Sequence, residues 1–150
     1  MMGNSDERIE ICDSGRGMVA GYAAKQLVEL GLEAGELTIL TADNSVPYER
    51  PPLSKGFLAG KDTEEAIRIN PKEFYPKHGI EVKLECEVTG VDPKPKRLIL
   101  KSGGEFGFNK LIAATGARPR KLNVEGAIWE TCITSAVWMT REPFAVYRRR

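Results

Sequence analysis

The sequence predicts an α/β fold, a parallel sheet with helices joined to an antiparallel β-meander. Three observations carry this expectation. A weakly alternating stretch, a glycine-rich turn, a helical pattern and a short β-rich stretch follow one another over residues 8–40, the order of a βαβ unit. Strand-like pieces separated by turn signals occupy residues 80–108. An apolar segment, Lys110-Leu111-Ile112-Ala113-Ala114, then runs into Thr115 and Gly116.

The first strand is expected at residues 8–12, where Ile9 and Ile11 alternate with charged neighbours. From Tyr22 to Leu30, the residues Ala23, Leu27 and Leu30 fall at helical spacing, and Gly31 is a natural stop. Leu37-Thr38-Ile39-Leu40 is short and β-rich, as a buried parallel strand would be. The stretch 43–61 is rich in proline and glycine and has no periodicity; inside a compact domain such a loop is usually functional. A short helix started by Pro71 is expected over 71–78. The meander is assigned to 80–84, 97–100 and 106–108, with breaks at Asp92-Pro93-Lys94-Pro95 and Ser102-Gly103-Gly104.

Bulk properties exclude several function classes. A chain of 150 residues holds one domain with a real core, not two large ones. A net charge of +1 gives no general attraction to nucleic acid or to an acidic membrane surface, and the arginines at 148–150 read as a solvated tail. Three widely spaced cysteines, without a Cys-x-x-Cys pair, argue against structural zinc and a disulfide scaffold. They fit a reducing, cytoplasmic setting. The polar N-terminus lacks a signal-peptide pattern, and no apolar run approaches the roughly 20 residues of a membrane span.

The chemistry-bearing pattern begins at Gly15-x-Gly17-x-x-Ala20, between strand and helix. In a dinucleotide fold the first glycine permits a tight turn and the second lets the backbone approach a pyrophosphate. The small third residue lets helix and strand pack closely. Phosphates then sit at the helix N-terminus, where free N–H groups and the macrodipole favour negative charge. An acid is expected at the end of the second strand to bond a ribose hydroxyl, and Asp43 stands there. Asp13 and Ser14 depart from the pattern, because a buried parallel strand should be apolar.

The run Tyr48-Glu49-Arg50-Pro51-Pro52-Leu53-Ser54-Lys55, with Gly56-Phe57-Leu58 after it, resembles the flavin loop of FAD-dependent pyridine nucleotide oxidoreductases of the ferredoxin-reductase and monodehydroascorbate-reductase type. Gly21-Tyr22-Ala23-Ala24, Asp43 and Ala114-Thr115-Gly116-Ala117-Arg118-Pro119 extend the resemblance over residues 15–126. It implies a Rossmann-like FAD-binding domain. It also implies that Arg50 and Lys55 lie along FAD, the lysine near the flavin ring, where a fixed ammonium stabilises negative charge on reduction. Pro51 and Pro52 restrict the backbone that holds these cations. By the same resemblance Thr115, Gly116 and Arg118 neighbour the cofactor, and the backbone around Glu87 and Val88 meets the adenine. NAD(P)H is the implied co-substrate, and a ferredoxin-type redox protein or a small molecule the implied acceptor. The redox-cysteine pair of the disulfide-reductase branch is missing, so electrons should pass directly between nicotinamide and flavin. His78, the only histidine, is expected to end a helix or face solvent, and no residue is assigned a catalytic role.

Two stretches depart from the family pattern: 9–16, and the tail from Ile128-Trp129-Glu130 to the end. A shifted reading frame would account for both. The expected organisation is an FAD-binding part over 1–126 and a non-family tail over 127–150, incomplete relative to the family and with little turnover alone. Two other classes remain open: a non-catalytic FAD- or nucleotide-binding module, and a non-functional product of an interrupted gene. An NAD-binding domain is a further reading, but it leaves the 48–55 loop without a role.

Overall fold

β1 (Ile9–Asp13) is an inner strand of a four-stranded parallel sheet ordered β3-β2-β1-β7. The computed structural model describes residues 8–13 and 18–116. β2 (Leu37–Thr41), β3 (Glu81–Lys83) and β7 (Lys110–Ala114) complete the sheet. Parallel neighbours need a crossover rather than a tight turn, and α1 (Met18–Glu29) provides it between β1 and β2. The register sets Ile11 beside Ile39 and Ile112, and Ile39 beside Val82. Residues side by side in register share a face of the sheet, so these side chains form one apolar surface. On it α1 places Ala20 and Ala24, one turn apart and fully buried. Their small side chains let the helix approach closely.

Tyr75, from the short helix α2 (Phe74–Lys77), and Ile80 close the same core. The helix expected over 71–78 shrinks to this single turn. Gly79, at φ +62°, takes the left-handed conformation that ends it. His78 stands at that helix end, its ring tilted against Phe74 at 4.7 Å between centroids. α1, by contrast, starts four residues before the expected Tyr22, because Ala20 and Gly21 are its contact with the rest of the fold.

The antiparallel sheet consists of β4 (Val88–Asp92), β5 (Arg97–Leu100) and β6 (Glu105–Gly107), in that order, with Leu98 fully buried. One expectation is corrected here. The 80–84 segment does not open the meander; its central residues form β3 and pair in parallel with β2. Alternation of Ile80, Val82 and Leu84 specifies a strand but not its partner. The partner follows from the packing of Ile80 and Val82 on the main core. The true first strand, β4, is disguised by Gly90 and by a register irregularity between Val88 and Gly90.

Asp13, ill-suited by sequence to a buried strand, is nevertheless the last residue of β1, in register with Thr41 and Ala114. The tail expected at 127–150 lies outside the described residues. Among the described residues no helix is long and apolar enough to cross a membrane, and no cluster of ligating side chains suits a metal ion.

Glu10 is the anomaly of the main sheet. It is fully buried in mid-strand, with Thr38 and Leu111 as register neighbours. Its Oε2 accepts the Asn109 N–H at 3.3 Å, while Oε1 has no hydrogen-bond partner among the described residues. Burial pushes its carboxyl above the usual glutamate range, against smaller lowering effects of the Asn109 N–H and the Arg8 charge. A folded-state pKa above the unfolded one gives stability that is fully present below the unfolded value and lost as pH rises through the folded value. Glu10→Gln is therefore expected to raise the melting temperature near neutral pH by a few degrees (about 2–4 °C per kcal/mol at this size) and to flatten its decline from acid to neutral pH. Thermal melts across that range check this; an unchanged slope would contradict it.

Candidate functional site

β1, β2 and β7 end level, Asp13 standing between Thr41 and Ala114. The segments that leave these strands therefore emerge at one edge of the sheet, and in open α/β sheets ligands bind outside the carboxyl ends of the strands. From β2 the chain leads to Asp43, and from β7 to Thr115 and Gly116, both exposed, with Gly116 at φ +61°. From β1 it leads toward α1, which carries the buried Ala20. Gly15, Gly17 and Arg118 lie outside the described residues.

Asp43 is fixed on every side. It is 8% exposed, and its N–H donates to the Thr41 hydroxyl at 3.2 Å. Its Oδ1 accepts the Asn44 N–H at 2.8 Å and its Oδ2 the Tyr48 hydroxyl at 3.0 Å. Its carbonyl accepts the Glu85 N–H at 2.9 Å, and the Thr41 carbonyl accepts the Cys86 N–H at 2.7 Å. These bonds draw 85–86 alongside the end of β2 and place half-buried Val88 two residues further on, at the start of β4.

The proline-rich loop is held against α1. A Cβ added at Gly21 would lie 2.9 Å from Pro47 Cβ and 2.9 Å from Ile69 Cδ1, closer than real contacts allow. Beside this contact, buried Asn70 donates its Nδ2 hydrogen to the Gly21 carbonyl at 2.8 Å. The Tyr22 hydroxyl donates to the Glu49 carboxylate, which raises the phenol above its usual range. Tyr48 bridges to Arg68 in antiparallel fashion, flanked by Glu49 N–H to Ile67 O at 2.7 Å and Ile69 N–H to Pro47 O at 3.3 Å. Tyr48, Leu53 and Ile67 form a second small core, with Phe57 packed on it.

On this support sit the two cations. Pro51 and Pro52 start a 3₁₀ turn, Pro51–Ser54, for which their fixed φ is suited. Arg50 caps the turn and is half-buried. Its Nε and Nη2 are enclosed and have no hydrogen-bond partner among the described residues. Buried donors are almost always satisfied, and leaving a charged one unmade costs more than about 1–3 kcal/mol. The arrangement thus suits an acceptor supplied from outside these residues. Lys55 leaves the same turn, exposed to solvent, with its N–H on the Pro52 carbonyl at 2.9 Å.

The structure brings Asp43, Thr115, Gly116 and the 85–88 segment to one sheet edge, and it ties the Arg50 loop to Asp43 through Tyr48. Sequence reading missed the parts that do the tying: the Tyr48 hydroxyl, Asn70 and the close approach at Gly21. Only Gly21, next to Ala20 inside a helical pattern, carried a signal. A carboxylate for hydroxyl groups, a half-buried guanidinium with two nitrogens unpartnered among the described residues for an anion, and a helix rising beside them fit a dinucleotide such as FAD.

The sequence pattern of the pyridine nucleotide-disulphide oxidoreductases matches residues 15–146. The chain belongs to that family. Its members are oxidoreductases that use FAD and NAD(P)H. The chain is 37% identical over 113 residues to the rubredoxin-NAD(+) reductase of Pseudomonas putida, covering 75% of this chain and 29% of that protein. It is 39% identical over 126 residues to the peroxisomal monodehydroascorbate reductase 4 of Arabidopsis thaliana, covering 75% of this chain and 26% of that one. Among solved structures, the covalent putidaredoxin reductase–putidaredoxin complex superposes with a TM-score of 0.70 at 28% identity, over 82% of this chain and 29% of the other. The chain thus spans under a third of the length of these relatives.

The Gly21 contact yields a test whose sign is informative. Glycine to alanine inside a helix normally gains up to about 1 kcal/mol, whereas overpacking costs about 1–3 kcal/mol. Pro47 is rigid, so Gly21→Ala is expected to lower the melting temperature measured by calorimetry. A higher melting temperature would show that the loop does not press on α1.

Proposed function

We propose that this chain is the FAD-binding part of an FAD-dependent NAD(P)H oxidoreductase that passes electrons to a ferredoxin-type protein or a small molecule. The observation that carries the reading is half-buried Arg50, whose guanidinium Nε and Nη2 are enclosed with no acceptor among the described residues, held one loop away from a fixed carboxylate at the sheet edge. The relatives named above, reductases of rubredoxin and of monodehydroascorbate, support the electron-transfer half of it. FAD supplies, when bound, the ring that takes two electrons from NAD(P)H and yields them to the acceptor. The residues of this chain bind and orient. The N-terminus of α1 would favour the pyrophosphate, Asp43 would accept from ribose hydroxyls, Arg50 would donate to an anionic or carbonyl oxygen, and Lys55 would bring positive charge toward the flavin. Val88, Thr115 and Gly116 would supply backbone contacts at the same sheet edge. With under a third of the relatives' length, the chain is proposed to have little or no turnover by itself, since the reaction needs a positioned nicotinamide.

Flavin-fluorescence titration tests this reading. The wild-type chain is expected to bind FAD, and Arg50→Met to weaken binding by about 10- to 100-fold, the loss of one or two charge-assisted hydrogen bonds. NADH oxidation with added FAD should stay near the background rate. No FAD binding, or an Arg50→Met variant that binds equally well, would contradict the assignment, and rapid turnover would contradict its second part.

A further inference from the structure

We propose that Tyr48 is a positioning residue for nucleotide recognition: its hydroxyl sets the direction in which the Asp43 carboxylate faces the ribose. The inference rests on the reading of Asp43 as the ribose-binding acid and goes beyond it. The Asn44 N–H anchors Oδ1 from within the same turn, at 2.8 Å. One such bond leaves the carboxylate free to pivot about that oxygen. The Tyr48 hydroxyl, at 3.0 Å from Oδ2, removes the pivot.

The tyrosine can do so because it is itself immobile. Its ring is 6% exposed and packed against Leu53 and Ile67, and its backbone bridges to Arg68. An ionised carboxylate has about four acceptor sites on its two oxygens. With one site on each oxygen taken by Asn44 and Tyr48, one remains on each. Two parallel acceptors suit the two neighbouring hydroxyls of a ribose.

Binding of adenosine 5′-diphosphate and 2′-deoxyadenosine 5′-diphosphate, measured by calorimetry on the full chain, tests the role. The wild type is expected to prefer the ribonucleotide by about tenfold or more, the worth of a hydrogen bond to a charged acceptor. Tyr48→Phe should leave binding of the deoxynucleotide nearly unchanged and shrink the preference to within about threefold. In an Asp43→Asn background, Tyr48→Phe should change the preference no further. A Tyr48→Phe chain that keeps the full preference overturns the proposal. A wild type without preference, or without binding, overturns the ribose role of Asp43 itself, and the two failures are distinguishable. Where the phenylalanine variant does not fold, 4-fluorophenylalanine at position 48 keeps the ring and fills the place of the hydroxyl without a donor. A preference that shrinks with it supports the role, and a full preference overturns it.

Discussion

The contact of Pro47 and Ile69 with the backbone of Gly21 is the constraint on which the site depends. At 2.9 Å there is no room for a methyl group, so the loop meets helix α1 at its Cα rather than across a layer of side chains. Asn70 then satisfies the Gly21 carbonyl, and Tyr22 reaches across to Glu49. A loop without periodicity becomes a fixed platform in this way. Ordering it costs roughly 1–2 kcal/mol of backbone entropy per residue, and the small core of Tyr48, Leu53 and Ile67 offsets part of that cost. For the proposed cofactor role the rigidity matters, because an arginine whose Nε and Nη2 have no partner among the described residues needs fixed surroundings to meet an anion.

A second constraint is the level ending of β1, β2 and β7. Parallel register sets where each strand stops, and so it gathers residues far apart in sequence, near 43 and 115, at one edge. The loop joins that edge through the hydrogen bond from Tyr48 to Asp43. Helix, sheet edge and loop thereby form one unit, and the positions of Asp43 and Arg50 are not independent.

Much of this was legible in the sequence, for identifiable reasons. β2 reads as a short, β-rich run, and all five of its residues are buried because both of its faces are covered. β7 and the end of α1 were marked by equally local signals. The 48–55 run stood out as a motif containing Arg50 and Lys55, and the place of Asp43 just beyond β2 followed from the spacing of the βαβ unit. Long-range pairing was not. Ile80, Val82 and Leu84 carry the period of a strand, but whether that strand joins the parallel sheet or the meander depends on the free edge of β2. β4 was hidden by Gly90, and the burial of Glu10 runs against every local preference. The Tyr48 hydroxyl and Asn70 gave no signal, because a polar group that bonds across 49 residues, as Asn70 does to Gly21, leaves no periodic trace.

The loop is docked on α1 in the chain as it stands, before any ligand binds. Amide hydrogen exchange at Glu49 and Ile69 measures this most directly, because their N–H groups bond to Ile67 and Pro47 across the base of the loop. Both amides are expected to be protected about as well as those of Ile11 and Ile39 in the parallel sheet, with opening no easier than that of the core. Exchange at the rate of an unstructured chain, with protection appearing only on addition of FAD, would contradict it and make the platform a consequence of the ligand.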